Sequence, residues 1–344
     1  MVFSWHFIDI HQGQLEPPPI IPLLFLTEGH TGVALFMTLS GYLFAKLLDG
    51  KEIRYIHFIW NRALRLLPLL IVVILMVGVR DYFEKSLDLA AYAVEILKGP
   101  IYPTLPNGGW SITVEFHFYL ILPLLLFCSS RLKYSFIFFI GAAIVTRYLL
   151  FLYFESPREI QFLSYGTIVG RLDQFVLGIA AFQYRELFKG RHLLALAIFA
   201  GFTGFFFYID SLGGFYNNTS LPSVWIYMTT VEGFAYASLI AWYDTSFRHA
   251  PSRVSRSIAL VGTYSYSIYL LHFFFFTFLA VSIERYIVDL SNIYVALLFS
   301  AVAFLIMIPI GYLSYRFIES PFLKFRTSYI RQSKPSEELV SQEK

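Results

Sequence analysis

The sequence predicts an all-α, polytopic integral membrane helical bundle of about ten transmembrane helices, the first of them truncated. Three observations carry this. Hydrophobic residues make up 57% of the 344 and charged residues only 14%, against about 25% charged in an ordinary soluble domain. The mean hydropathy is +0.62. Apolar runs near the ~20 residues that span a bilayer recur from end to end. The chain therefore reads as one membrane-embedded domain over 1–330, followed over 331–344 by a polar tail that reads as disordered.

Nine spans are expected, at 29–48, 64–80, 110–129, 134–153, 166–184, 192–209, 222–243, 257–280 and 292–315. The segment 1–10 is apolar but half a span long, and reads as the outer end of a helix that starts upstream. Between the spans, basic residues alternate sides. Lys46, Lys51, Arg54, Arg62 and Arg65 fall in one connection, Arg131 and Lys133 in another, then Arg185, Lys189 and Arg191, then Arg248, Arg253 and Arg256, and finally Arg316, Lys324, Arg326, Arg331 and Lys334. The positive-inside rule makes this side cytoplasmic and puts the C-terminus inside. The expected location is a bacterial inner membrane. The opposite connections hold Asp81, Glu84, Asp88, Glu95, Glu155, Glu159, Asp210, Glu284 and Asp289, with fewer basic residues. They include a loop over 11–27 stiffened by Pro17-Pro18-Pro19, a long loop over 81–109, and Asn217-Asn218-Thr219-Ser220, read as a polar loop.

Several classes are excluded. One cysteine, Cys128, allows no intrachain disulfide. No basic, aromatic-interleaved soluble patch supports nucleic-acid binding. No His or Cys pair has metal-ligand spacing inside a span, so no metal is expected. The segment 1–10 lacks the pattern of a cleavable signal.

Polar groups inside spans are costly and tend to face the protein interior, where they often mark a site. Ser111, Glu115 and Tyr119 follow Trp110 at four-residue spacing and share one helix face. Glu115 is read either as a packing carboxylate with a basic partner or as a functional one. Arg171 and Asp173 enter the next-but-one span too close in sequence to share a face, so each calls for its own partner. Ser265, Tyr269 and His272 form a stripe, with His272 read first as a satisfied core histidine. Arg62 and Arg65, with Arg54 upstream, serve topology or bind a phosphate, for which the planar guanidinium fork is well suited. His6 suits proton transfer because imidazole titrates nearest neutrality.

These motifs, in this order, resemble the acyltransferase-3 family of integral membrane enzymes that O-acylate carbohydrates. The segment 32–43, GVALFMTLSGYL, is similar to its GV-x-x-FF-x-x-SG-[FY]-L, with Met37 in place of the second Phe. RALRLLP at 62–68, WSITVEFHFY at 110–119, RLDQFVLG at 171–178, YSYSIYLLH at 264–272 and IESP at 318–321 resemble five further motifs. The family's first helix carries an Arg and, further along, a catalytic His. His6 matches that His, and the Arg would lie before Met1. The expectation is that the true start lies upstream of Met1.

The resemblance implies transfer of an acyl group, acetyl first, from acyl-CoA to a saccharide hydroxyl, with acyl-CoA as co-substrate and no tightly bound cofactor. His6 would be the base. Glu115 would orient His6 or hold the acceptor. Arg62, Arg65 and Arg54 would bind the CoA phosphates. Tyr119, Tyr269 or Ser40 would donate to the oxyanion. The acceptor would be a saccharide or glycolipid such as lipopolysaccharide or exopolysaccharide, with envelope-polysaccharide assembly proteins as partners. A saccharide or lipid transporter is the rival reading, and a membrane scaffold the second; no internal repeat favours the transporter.

Overall fold

The computed structural model describes residues 1–9, 20–217, 222–248 and 252–331. Ile10, most of the proline-stiffened loop, Asn218-Thr219-Ser220 and the tail from 332 lie outside these. The described chain is almost wholly helical. Its longer helices are α1 (Val2–Ile8), α2 (Thr31–Leu48), α3 (Tyr55–Phe83), α4 (Leu89–Lys98), α5 (Trp110–Arg131), α6 (Ser135–Tyr153) and α7 (Pro157–Gly166). They continue with α8 (Ile168–Gln183), α9 (His192–Ser211), α10 (Met228–Ser246), α11 (Arg253–Thr263), α12 (Ser265–Tyr286) and α13 (Ile293–Ser314). Two short strands, β1 (Glu52–Ile53) and β2 (Ile330–Arg331), pair antiparallel.

Among the described residues, seven helices are long and apolar enough to cross a membrane: α2, α3, α5, α6, α9, α12 and α13 with its extension to Leu323. The count of about ten is not established. The spans expected at 166–184 and 222–243 become α8 and α10. The first has only 16 residues, and the second carries Thr229, Thr230, Glu232 and Asp244. Both pack heavily on other helices, with twelve of 16 residues buried in α8 and nine of 19 in α10. The span expected at 257–280 is two helices. Ser252 caps α11 by accepting from the Ser255 N–H at 3.1 Å, and α11 buries none of its residues. The chain then turns at Tyr264 into α12. The loop expected over 81–109 contains α4, capped by Asp88 accepting from Ala90 N and Ala91 N at 3.0 Å.

A larger correction concerns α3. It begins at Tyr55, well before the expected 64, because YIHFIW over 55–60 continues the helix. Arg62 and Arg65 therefore lie inside a long helix, not in the connection before it.

Helix α8 is the centre of the bundle, packed by α2, α10, α6 and α5. Twelve of its 16 residues are buried. Its contact with α2 needs glycine on both sides. A Cβ at Gly41 would fall on the Phe175 carbonyl, and one at Gly178 on the Thr38 carbonyl. Small residues of this kind let helix backbones approach closely in membranes. Deep in this region Arg147, fully buried, donates to Asp173 Oδ2 at 2.8 Å, to the Gly170 carbonyl at 2.7 Å and to the Ile226 carbonyl at 2.8 Å. That set satisfies a charge that would be very costly alone.

Candidate active site

Helices α2, α3, α5 and α12 enclose a cavity of about 280 Å³, closed on one side by Val2 of α1. Apolar surface from Val2, Val33, Phe36, Leu66 and Ile112 is combined there with the polar side chains of Arg62, Arg65, Ser111, Glu115, Tyr119, Ser265, Tyr266 and Tyr269. This combination of apolar wall and convergent polar groups is typical of ligand sites.

The polar groups come from separate elements. Helix α5 starts at Trp110, so Ser111, Glu115 and Tyr119 face the cavity from successive turns. The Tyr119 hydroxyl donates to Glu115 Oε1, while Glu115 Oε2 has no hydrogen-bond partner among the described residues. Glu115 is 4% exposed, so that oxygen is an unmet acceptor in an apolar wall. The Ser111 hydroxyl lies 2.9 Å from both the Gly108 carbonyl and the Tyr269 hydroxyl, and Tyr269 donates to the same carbonyl at 3.1 Å. The loop presents that carbonyl through two successive left-handed residues, Asn107 (φ 50°) and Gly108 (φ 76°).

Helix α3 supplies the arginines. Arg62 lies over the rings of Phe44, Phe58 and Tyr119, at 5.3, 5.5 and 5.9 Å from their centroids. Its Nε has no partner among the described residues. Arg65 donates to Glu319 Oε2 at 2.5 Å and to the Thr263 carbonyl at 3.2 Å. Glu319 is fully buried, also accepts from Ser267, and ends a π-helical turn over Tyr315–Glu319. Such turns are frequent at functional sites.

His6 stands one helical turn from Val2 on the same face of α1. Its ring lies 5.3 Å from that of His272, 4.6 Å from Phe273 and 4.5 Å from Trp5. His272 Nδ1 bonds the Tyr269 carbonyl, leaving Nε2 without a partner among the described residues. No hydrogen bond joins His6 to Glu115 among those residues; the titratable neighbour of His6 is His272.

The structure thus brings together Arg62, Arg65, Ser111, Glu115, Tyr119 and Tyr269; His6 and His272 do not line the cavity and adjoin it through His272, whose ring lies 5.8 Å from that of Tyr269. It does not bring the others there. Arg54 caps α3, exposed, with its N–H on the Tyr329 carbonyl at 2.8 Å. Ser40 is buried beside Gly41 on α2 and does not line the cavity. Asp173 is held by Arg147 and Thr230. Arg171 donates to the Tyr165 carbonyl and to Gln174 Oε1 at 2.9 Å, and stacks over the Tyr165 ring at 4.0 Å. Trp110 packs on that same tyrosine, 5.0 Å between centroids.

Sequence reasoning missed a second buried polar group. His30 Nε2 bonds Glu28 Oε2 at 3.0 Å and its Nδ1 lies 4.0 Å from Glu232, which accepts from Gln174 at 3.1 Å. It also gave no role to Arg147 or Glu319. A lone charge inside an apolar run was the available signal for Arg147 and Glu232.

A family model described as an acyltransferase domain matches residues 1–315. Relatives from Staphylococcus aureus strains MRSA252, COL and N315, provisionally named O-acetyltransferases, are 28% identical over 90% of this chain. The chain spans 56% of the length of each of these relatives. No solved structure matches it at a significant level. The motifs, the helical bundle and the model match agree, and the chain belongs to the acyltransferase-3 family.

Proposed function

We propose that the chain is a membrane-embedded O-acyltransferase, moving an acetyl group from acetyl-CoA to a hydroxyl of a cell-envelope or extracellular saccharide. The observation that carries this reading is the cavity where Glu115, Tyr119 and Arg62 converge within a bundle of this family.

A sugar hydroxyl is a weak nucleophile near neutrality and needs a base. His6 takes its proton as the oxygen attacks the thioester carbonyl carbon. The C–S bond then breaks, and the departing thiolate recovers the proton from His6. The oxyanion formed between these steps needs positioned donors. Tyr119 and Tyr269 line the cavity, and either would supply that donor by turning its hydroxyl from its present acceptor, Glu115 or the Gly108 carbonyl. Ser40 would not, because it lies outside the cavity. Glu115 is better suited to the acceptor than to His6, since its free Oε2 can accept from a sugar hydroxyl. Arg62 and Arg65 hold the CoA phosphates from the cytoplasmic side. Envelope-polysaccharide assembly proteins are the expected partners.

Membranes containing the chain, incubated with acetyl-CoA labelled in the acetyl group, should transfer label to saccharide. A transporter would transfer none. Absence of label with extracts of the native envelope as acceptor would refute the reading.

A further inference from the structure

We propose that segment 324–331 is a strap that completes the phosphate site of the donor, with Arg326 as its third cation beside Arg62 and Arg65. The proposal rests on the acyl-CoA reading above and extends it to a part of the chain that no motif covers.

The strap is built onto the start of α3. Asn61, 2% exposed, clamps the backbone of Thr327 from both sides, donating from Nδ2 to its carbonyl at 2.7 Å and accepting its N–H at 3.0 Å. The Trp60 indole donates to the Phe325 carbonyl at 3.3 Å. The Arg54 N–H donates to the Tyr329 carbonyl, and the Tyr329 ring meets Phe58 at 5.6 Å. Pairing of Ile53 with Ile330 and of Glu52 with Arg331 closes the strap. Arg326 is thereby fixed one residue from a clamp whose other half is one residue from Arg62.

Among the described residues the three guanidiniums outnumber the carboxylates that face them, Glu319 and Glu115. The strap's Tyr329 ring and the Arg62 guanidinium lie on the same Phe58 ring, at 5.6 and 5.5 Å from its centroid, which sets the strap beside the arginines. Arg326 itself is exposed and does not line the cavity; partial desolvation, and then the charges of Arg62 and Arg65, lower its pKa. Among the described residues the one carboxylate paired with the three is Glu319, on Arg65. Like charges held together by a fixed backbone destabilise the free protein, and a multiply charged anion relieves that repulsion. Arginine suits phosphate because its fork donates two hydrogen bonds at once. The nucleotide end of CoA carries a pyrophosphate and a further phosphate. An anionic lipid headgroup offers the same chemistry, and the experiment separates the two.

The full chain in phosphatidylcholine nanodiscs is titrated with labelled coenzyme A, inorganic pyrophosphate and pantetheine. Arg326→Gln should weaken coenzyme A and pyrophosphate about tenfold, the scale of one lost charged hydrogen bond, and leave pantetheine unchanged. Arg326→Lys should recover part of the loss. Asn61→Ala, which releases the strap, should repeat the Gln result. Thr327→Ala should match wild type, because both clamp bonds use its backbone. Wild-type affinity for coenzyme A in Arg326→Gln overturns the strap and leaves the acyl-CoA reading standing. Arg326-dependent pyrophosphate binding without coenzyme A binding supports the strap as a phosphate site and removes that reading. Arg326-dependent binding of phosphatidylglycerol with no effect on coenzyme A assigns the site to lipid and overturns the proposal.

Discussion

Glu115 uses one oxygen for Tyr119 and leaves the other without a partner among the described residues. A buried acceptor left unmet costs about 1–3 kcal/mol, so a residue of purely structural use would be expected to fill it. The proposed acceptor contact makes a testable distinction. Glu115→Gln should raise the KM for the saccharide and leave the KM for acetyl-CoA near wild type; the reverse split would place Glu115 at the donor. His6→Ala should lower turnover about 10²–10⁴-fold, the range for loss of a general base, at unchanged protein level. Retained turnover would remove His6 as the base. Arg62→Ala should raise the KM for acyl-CoA. It is a cleaner test than Arg65→Ala, which would also strand the buried Glu319. At this scale Glu115 and the arginines were legible because polar side chains stand out in apolar runs. Their assembly was not. Grouping Arg54 with Arg62 and Arg65 followed sequence proximity, whereas the helix starts between them. Ser40 stood out as a hydroxyl in a motif, but that motif serves the close packing of Gly41.

At the scale of elements, α8 shows why spacing and apolarity misjudge buried helices. Its charges, Arg171 and Asp173, read as structural groups or as a possible site; the structure gives each a protein partner and leaves Arg171 Nη2 and Asp173 Oδ1 without a hydrogen bond among the described residues. Asp173 neutralises Arg147, which is fully buried on α6. Asp173→Ala should therefore destabilise the fold by about 3–5 kcal/mol. Removing Arg147 as well should cost less than the sum of the two single changes, since the pair is coupled. Thermal melting in detergent measures both effects, and wild-type melting of Asp173→Ala would contradict the assignment. The glycine motifs act at the same scale. Gly178→Leu drives a side chain into the α2 backbone, so the purified yield of folded protein should collapse. The sequence located most helix cores because hydrophobic run length is a strong signal. It missed the break at Tyr264, since α11 and α12 are both apolar enough on one face to read as a single run.

At the scale of the whole molecule, the charge pattern and the packing are independent observations of one arrangement. The basic connections meet each other. Lys46 pairs with Asp244 at 2.7 Å, the Tyr184 hydroxyl donates to the Lys133 carbonyl at 2.8 Å, the Gly190 N–H donates to Ser246 Oγ at 2.9 Å, and Arg54 is tied to Tyr329. These contacts gather segments 46–54, 131–133, 184–191, 244–246 and 324–331 at one end of the bundle. At the other end, the Thr113 hydroxyl donates to the Gly99 carbonyl at 2.7 Å and Gln161 donates to the Phe215 carbonyl at 2.8 Å. Helices α8 and α10 therefore run from end to end, although one is short and the other polar. From the excess of Lys and Arg at the first end and the positive-inside rule, we propose that this end is the cytoplasmic one. A membrane-impermeant maleimide tests this directly. In a Cys128→Ser background, Lys189→Cys and Arg253→Cys should stay unlabelled in intact cells and label after the membrane is opened. Glu84→Cys and Lys98→Cys should label from outside without treatment. The opposite pattern would invert the molecule, placing Arg62, Arg65 and Arg326 away from cytoplasmic acyl-CoA. The proposed donor route could not survive that result, even with the cavity and its chemistry unchanged.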